Sequence, residues 1–232
     1  MCDICIFKQC TIDAMTKRYG AALRALLSPA EAAVLKKLKQ PIDVQNYLDH
    51  LPINFEIAGE TIYSARRVLK HKSAHCVEGA LFAAAALAYH GRTPWLMDIQ
   101  TAPYDDDHVV ALFKENGRWG AISKTNHTIL RWRDPVYKTV RELAMSYFHE
   151  YIVVDGEKTM RAFSKPFDLS RYAPQWATAT EDLVQLICDL DDSPHSPIAP
   201  RHAMRRLRNA QPIETKVLDI TEWLPSGKKT KN

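Results

Sequence analysis

The chain has 232 residues, a formal net charge of +4, 46% hydrophobic and 25% charged residues. That composition fits a globular protein with one sizeable core, and no apolar run reaches the roughly twenty residues a membrane span needs. The N-terminus has no basic stretch followed by an apolar segment and a small-residue cleavage site, so no secretory signal is read and a cytoplasmic location is expected. Five cysteines, three of them among the first ten residues, do not form a disulfide framework.

Taken in chain order, the first forty residues read as helical, and Ser28-Pro29-Ala30-Glu31 has the form of a capping box opening a second helix that Pro41 ends. Val44 to Leu51 is a short amphipathic piece closed by Pro52. Glu60 to Lys70 reads as a helix. After the polar link from His71 to His75, Cys76 to Tyr89 is apolar almost all round and is expected to be a central, buried helix stopped at Gly91. The period then changes to that of strands: Trp95 to Gln100, Asp107 to Lys114, and Trp119 to Lys124 returning after the hairpin pair Asn116-Gly117. Val140 to Tyr147 is a predicted helix, Tyr151 to Val154 a strand, and Glu181 to Leu190 a last helix. Beyond Asp191, Ser- and Pro-rich sequence marks a linker or wrapped arm, in which Val217 to Trp223 is a candidate edge strand. Helices followed by an antiparallel sheet define an α+β class. The expected division is a helical region packed on the core (residues 1–59), the core (60–190) and a Pro-rich basic arm (191–232).

Two stretches carry the chemistry. Cys76 opens a helix, where unpaired backbone N–H groups lower a thiol's pKa and face the oxygen of an attacked carbonyl. His108, the candidate general base, opens a strand on the face shared with Val110 and Leu112, which is a plausible core face. His75, beside the cysteine, adds positive potential. A third group should orient the His108 ring. With Asn116 and Gly117 as the hairpin loop, Glu115 faces Arg118, Thr125 falls opposite His108, and Ser123 is a diagonal neighbour on the same face. A one-residue bulge would bring Asn126 round instead, and Asp98 on the preceding strand is a further candidate. Cys188, inside an apolar helix, reads as a plain buried cysteine. Cys2, Cys5 and Cys10 resemble a fragment of a metal-ligand set, but no second CxxC follows and loosely packed terminal cysteines are the favoured reading. The basic C-terminal run (Arg201, Arg205, Arg206, Arg208, Lys228, Lys229, Lys231) reads as a solvated face with some capacity for acidic partners or nucleic acid.

Cys76-x-x-x-Ala80 on an apolar helix, Gly91 after it, His108 opening a later strand and Gly117-x-Trp119 leading the next resemble the core of the transglutaminase-like superfamily, over about residues 60 to 155. The segment Gly117 to His127, with Arg133-Asp134-Pro135-Val136-Tyr137 after it, is similar to small bacterial members of unassigned activity. The resemblance implies a papain-like fold with a Cys-bearing helix packed on an antiparallel sheet. It also implies a cysteine peptidase, amidase, deamidase or acyltransferase acting on peptide or protein amides through a thioester, with no cofactor and no catalytic metal. Members of the family carry Asp four residues after the tryptophan of the third strand, where this chain has Ser123. A fold that has lost its chemistry and serves as a binding or scaffold protein is therefore the competing expectation, with Asn126 a possible substitute for the missing carboxylate.

Overall fold

A computed structural model describes residues 3–230, with side chains from residue 14 onward. The side chains of Cys2, Cys5 and Cys10, and with them the sequence's metal-fragment question, lie outside the described residues. The fold is α+β. Helices α1 (Asp3–Leu26), α2 (Pro29–Leu35), α3 (Pro41–Asp49) and α4 (Ala65–His71) precede the central α5 (Cys76–Tyr89). The sheet follows: β1 (Trp95–Gln100), β2 (His108–Glu115), β3 (Arg118–Ile122) and β4 (Arg133–Tyr137), then β5 (Ala162–Ser164), β6 (Phe167–Asp168) and β7 (His195–Pro197). Its order is β4-β3-β2-β1-β5-β7, with β6 also on β1 and every pairing antiparallel. Helix α6 (Val140–Met145) lies between β4 and β5, α7 (Val184–Asp191) precedes β7, and two short helices, α8 (Arg201–Met204) and α9 (Pro212–Thr215), follow it. No described helix is long and apolar enough to cross a membrane.

The sheet is buried on both faces, which follows from alternation along β2. Val109, Ala111 and Phe113 pack toward α5 and the N-terminal helices. Val110 and Leu112 pack with Met97, Ile99, Leu143, Tyr147 and Tyr151 on the other side. Helix α5 is buried from Glu78 to Ala88, and its small side chains let it sit close to its neighbours. At Gly79 the approach is close: an added Cβ would collide with Lys124 Cβ just beyond β3. This contact fixes where the first turn of α5, and Cys76 with it, stands relative to the sheet.

The β2–β3 hairpin has the expected register, Glu115 opposite Arg118 and Ala111 opposite Ile122. Asn116 (φ 48°) and Gly117 (φ 76°) both adopt the left-handed conformations a tight two-residue turn requires. Other expectations are corrected. Pro41 does not end α2, which stops at Leu35; it opens α3, where the Asp43 carboxylate accepts from the Gln40 N–H at 2.9 Å. The helix expected from Glu60 begins only at Ala65, because residues 61–63 run extended to serve a buried carboxylate and Ser64 then caps the helix. Tyr151–Val154 makes only a single bridge, Ile152 to Lys158, since the chain turns back at Gly156 (φ 84°). Val217–Trp223 is not an edge strand: residues 216–219 form a 3₁₀ turn, and the strand that the C-terminal arm adds to the sheet is β7, twenty residues earlier. Cys188 is exposed rather than buried, because α7 is amphipathic and turns Leu186 and Leu190 inward.

Candidate active site

The first helical residue of α5 is Cys76, half-buried, with His75 as the preceding cap residue. The Cys76 Sγ stands 4.0 Å from His75 Nδ1. The other ring nitrogen of His75, Nε2, is 2.9 Å from the Thr61 carbonyl oxygen, 3.4 Å from Glu78 Oε1 and 3.7 Å from Glu56 Oε1. Glu78 is fully buried. A buried carboxylate is costly unless its lone pairs are used, and here they are. It accepts from Asn54 Nδ2 (3.1 Å), Thr61 Oγ1 (2.8 Å), the Tyr63 N–H (3.1 Å) and the His75 N–H (3.0 Å). Burial alone would raise the Glu78 carboxyl, but His75 and these donors outweigh it and hold it below its usual value. Burial would likewise push His75 down, but the Cys76 thiolate and Glu78 overcome that and hold its imidazolium up to about 11.

His108, 5% exposed at the start of β2, also hydrogen-bonds the thiol. Its Nε2 lies 2.8 Å from Ser123 Oγ. The Ser123 hydroxyl donates to the Leu130 carbonyl oxygen, so its oxygen must accept from His108 Nε2–H. That hydrogen bond fixes a proton on Nε2 and leaves Nδ1 as the nitrogen serving the thiol. Ser123 is itself clamped by Gln45: its N–H donates to Gln45 Oε1 at 2.9 Å and its carbonyl accepts from Gln45 Nε2 at 2.8 Å. For Cys76, burial pushes the thiol up, but hydrogen bonding and charge from His108 and His75 more than reverse it, lowering the thiol to about 5. At neutral pH the sulfur is a thiolate between two imidazoles.

Of the sequence candidates, Cys76, His108 and Ser123 converge and two do not. Asn126 lines the cleft, but its amide is spent on the C-terminal segment: its Nδ2 donates to the Trp223 carbonyl at 3.0 Å and its Oδ1 accepts from the Trp223 N–H at 2.8 Å. With no bulge in β2–β3, nothing brings it round to His108. Asp98 is buried against His195 Nε2 at 3.0 Å, where it secures β7 and does not meet His108. Burial and the nearby Asp107 raise its carboxyl to about 6 against the opposing pull of His195.

Glu78 and Gln45 belong to the site without having been singled out as site residues in the sequence. Glu78 was within reach, three residues after a helix-cap position, where an acidic side chain turns back to the cap N–H. Gln45 had no local signal, lying 78 residues from Ser123. Cys76 and His108 open into a cleft of about 340 Å³, rimmed by Asp105, Asp106 and Asp107 and reached by Leu218 of the C-terminal segment. Among the described residues, no three His, Cys, Asp or Glu side chains are grouped to hold a metal ion. Compared with known proteins, the chain matches no family model and no curated relative.

Proposed function

We propose that the protein is a cysteine enzyme of transglutaminase-like, papain-like type that acts on peptide or protein amides through a thioester at Cys76. The observation that carries this reading is the thiol itself, seated at a helix N-terminus between His75 and His108 and lowered to about 5. In the first step the Cys76 thiolate attacks the amide carbonyl carbon, forming a C–S bond while the C=O electron pair moves to oxygen. The His108 imidazolium gives its proton to the leaving nitrogen as the C–N bond breaks. The neutral His108 then takes a proton from water or an amine, which attacks the thioester and releases the thiolate. His75, paired with Glu78, keeps its charge through both steps and stabilises the thiolate, while Ser123 orients the base. A reduced thiol of this kind suits a cytoplasmic setting.

One observation favours a second reading, a binding or scaffold protein without catalysis: the group that meets His108 is a serine, which cannot stabilise imidazolium as a carboxylate does. Iodoacetamide separates the two. An enzyme alkylates at Cys76 well below neutral pH, much faster than at the exposed Cys188, and His108→Ala slows it. A scaffold shows Cys76 reacting no faster than Cys188 and indifferent to His108.

A further inference from the structure

The proposed chemistry makes an oxyanion, and backbone N–H groups at the start of α5 supply only one side of its binding site. The lining of the cleft includes an unspent donor. Tyr151 is 3% exposed and lines the cleft with Cys76 and His108, yet its hydroxyl is buried with no hydrogen-bond partner. Leaving a buried hydroxyl unpaired is costly. Tyr147, in the same hydrophobic cluster, shows the ordinary solution: its hydroxyl donates to the Arg131 carbonyl at 3.1 Å. Tyr151 is also held in place, its carbonyl accepting from the Thr159 N–H at 3.1 Å and its ring packed among Ile99, Val110 and Tyr147.

We propose that the Tyr151 hydroxyl is the second oxyanion donor, completing with the α5 N-terminus a site for the tetrahedral intermediate formed on Cys76. The proposal rests on the reading of Cys76 as an acyl-forming nucleophile. As the thiolate adds to the carbonyl carbon, the oxygen gains the electron pair of the broken π bond. It then accepts hydrogen bonds from Tyr151 O–H and from the helix N–H groups. When the intermediate collapses, the pair returns to the C=O bond and the leaving group departs; Tyr151 keeps its proton throughout. Burial, reinforced by the negative Cys76, holds the phenol well above its ordinary pKa, so it remains a neutral donor. An orphan donor in the resting site would thus gain its partner as charge develops on the substrate, which is how preorganised donors favour the transition state.

The test compares two reactions of the full-length chain at Cys76. Acylation by p-nitrophenyl acetate builds an oxyanion; alkylation by iodoacetamide does not. Tyr151→Phe should slow the p-nitrophenolate burst by on the order of 10²-fold. Its iodoacetamide rate and pH midpoint should match wild type, and its melting temperature should be unchanged or higher, since Phe removes an unpaired polar atom. A wild-type burst rate in Tyr151→Phe overturns the donor role and leaves the Cys76–His108 reading intact. Equal slowing of both reactions also overturns it, placing Tyr151 on the thiol rather than the oxyanion. If wild type shows no burst that Cys76→Ser abolishes, the nucleophile reading fails and the proposal with it.

Discussion

His75→Gln isolates the second imidazole. Glutamine can still donate to the Thr61 carbonyl, so the cap region keeps its hydrogen bond while the positive charge 4.0 Å from the sulfur is lost. Two unit charges at that separation attract by about 4 kcal/mol at an effective dielectric of about 20. At 1.36 kcal/mol per pKa unit this is about 3 units, or about 2 once water at the half-buried thiol is allowed for. The thiol should therefore titrate at about 7 to 8, near a free cysteine, instead of at about 5. The assay is the second-order rate of Cys76 alkylation by iodoacetamide across the acid and neutral range, fitted for its midpoint. His108→Asn should also raise the midpoint, by a comparable step, and the double variant, left with burial alone, should titrate above an ordinary thiol. A midpoint that stays near about 5 in His75→Gln would show that His75 contributes nothing to ionising the sulfur, and the two-imidazole account would be wrong.

Three other outcomes follow from the same geometry. Ser123→Ala should lower stability by about 1–3 kcal/mol in urea unfolding, because the Leu130 carbonyl loses its donor; Ser123→Asp should not raise activity above wild type, since a carboxylate would face that carbonyl. Gly79→Ala should cost about 1–3 kcal/mol by overpacking against Lys124 and should slow alkylation at acid pH by displacing the first turn of α5. The stability difference between wild type and the Cys76→Ala/His75→Gln double variant, which removes both partners, should depend on pH in a definite way. The thiol's pKa is depressed from 9.0 to about 5, so its contribution is complete above 9.0 and lost as pH falls through about 5. The His75 pKa is raised from 6.5 to about 11, so its contribution is complete below 6.5 and lost as pH rises through about 11. The difference should rise from about pH 5 to 6.5, stay level to about 9, and fall toward about 11; a monotonic profile would contradict the ion pair.

How much of this was legible in the sequence varies with the range of the interaction. The β2–β3 hairpin was, because Asn116-Gly117 fixes a two-residue turn and the turn fixes the register. Helix α5 was, because an apolar run of that length admits no other burial. From these two elements Cys76 and His108 could be placed together, with Ser123 one of three candidates, beside Asn126 and Asp98, for the group that meets the ring. The short strands β4 to β7 could not be read: two- to five-residue segments with Pro and charged residues have no period of their own, and the sheet recruits them. The same holds for Gln45 on Ser123 and His195 on Asp98, pairs separated by 78 and 97 residues. The misplaced start of α4 and the missed role of Glu78 are one error. Thr61 and Tyr63 run extended because they feed the Glu78 carboxylate, a demand invisible in their own propensities.

The central claim is that Cys76 forms an acyl-enzyme with His108 as its base. Peptide mass mapping after mixing with p-nitrophenyl acetate and quenching in acid tests it most directly. The account predicts an acetyl thioester on Cys76, discharged by hydroxylamine, absent from Cys188 and lost in His108→Ala. Acetylation spread over both thiols, or equal on Cys76 with and without His108, would contradict it.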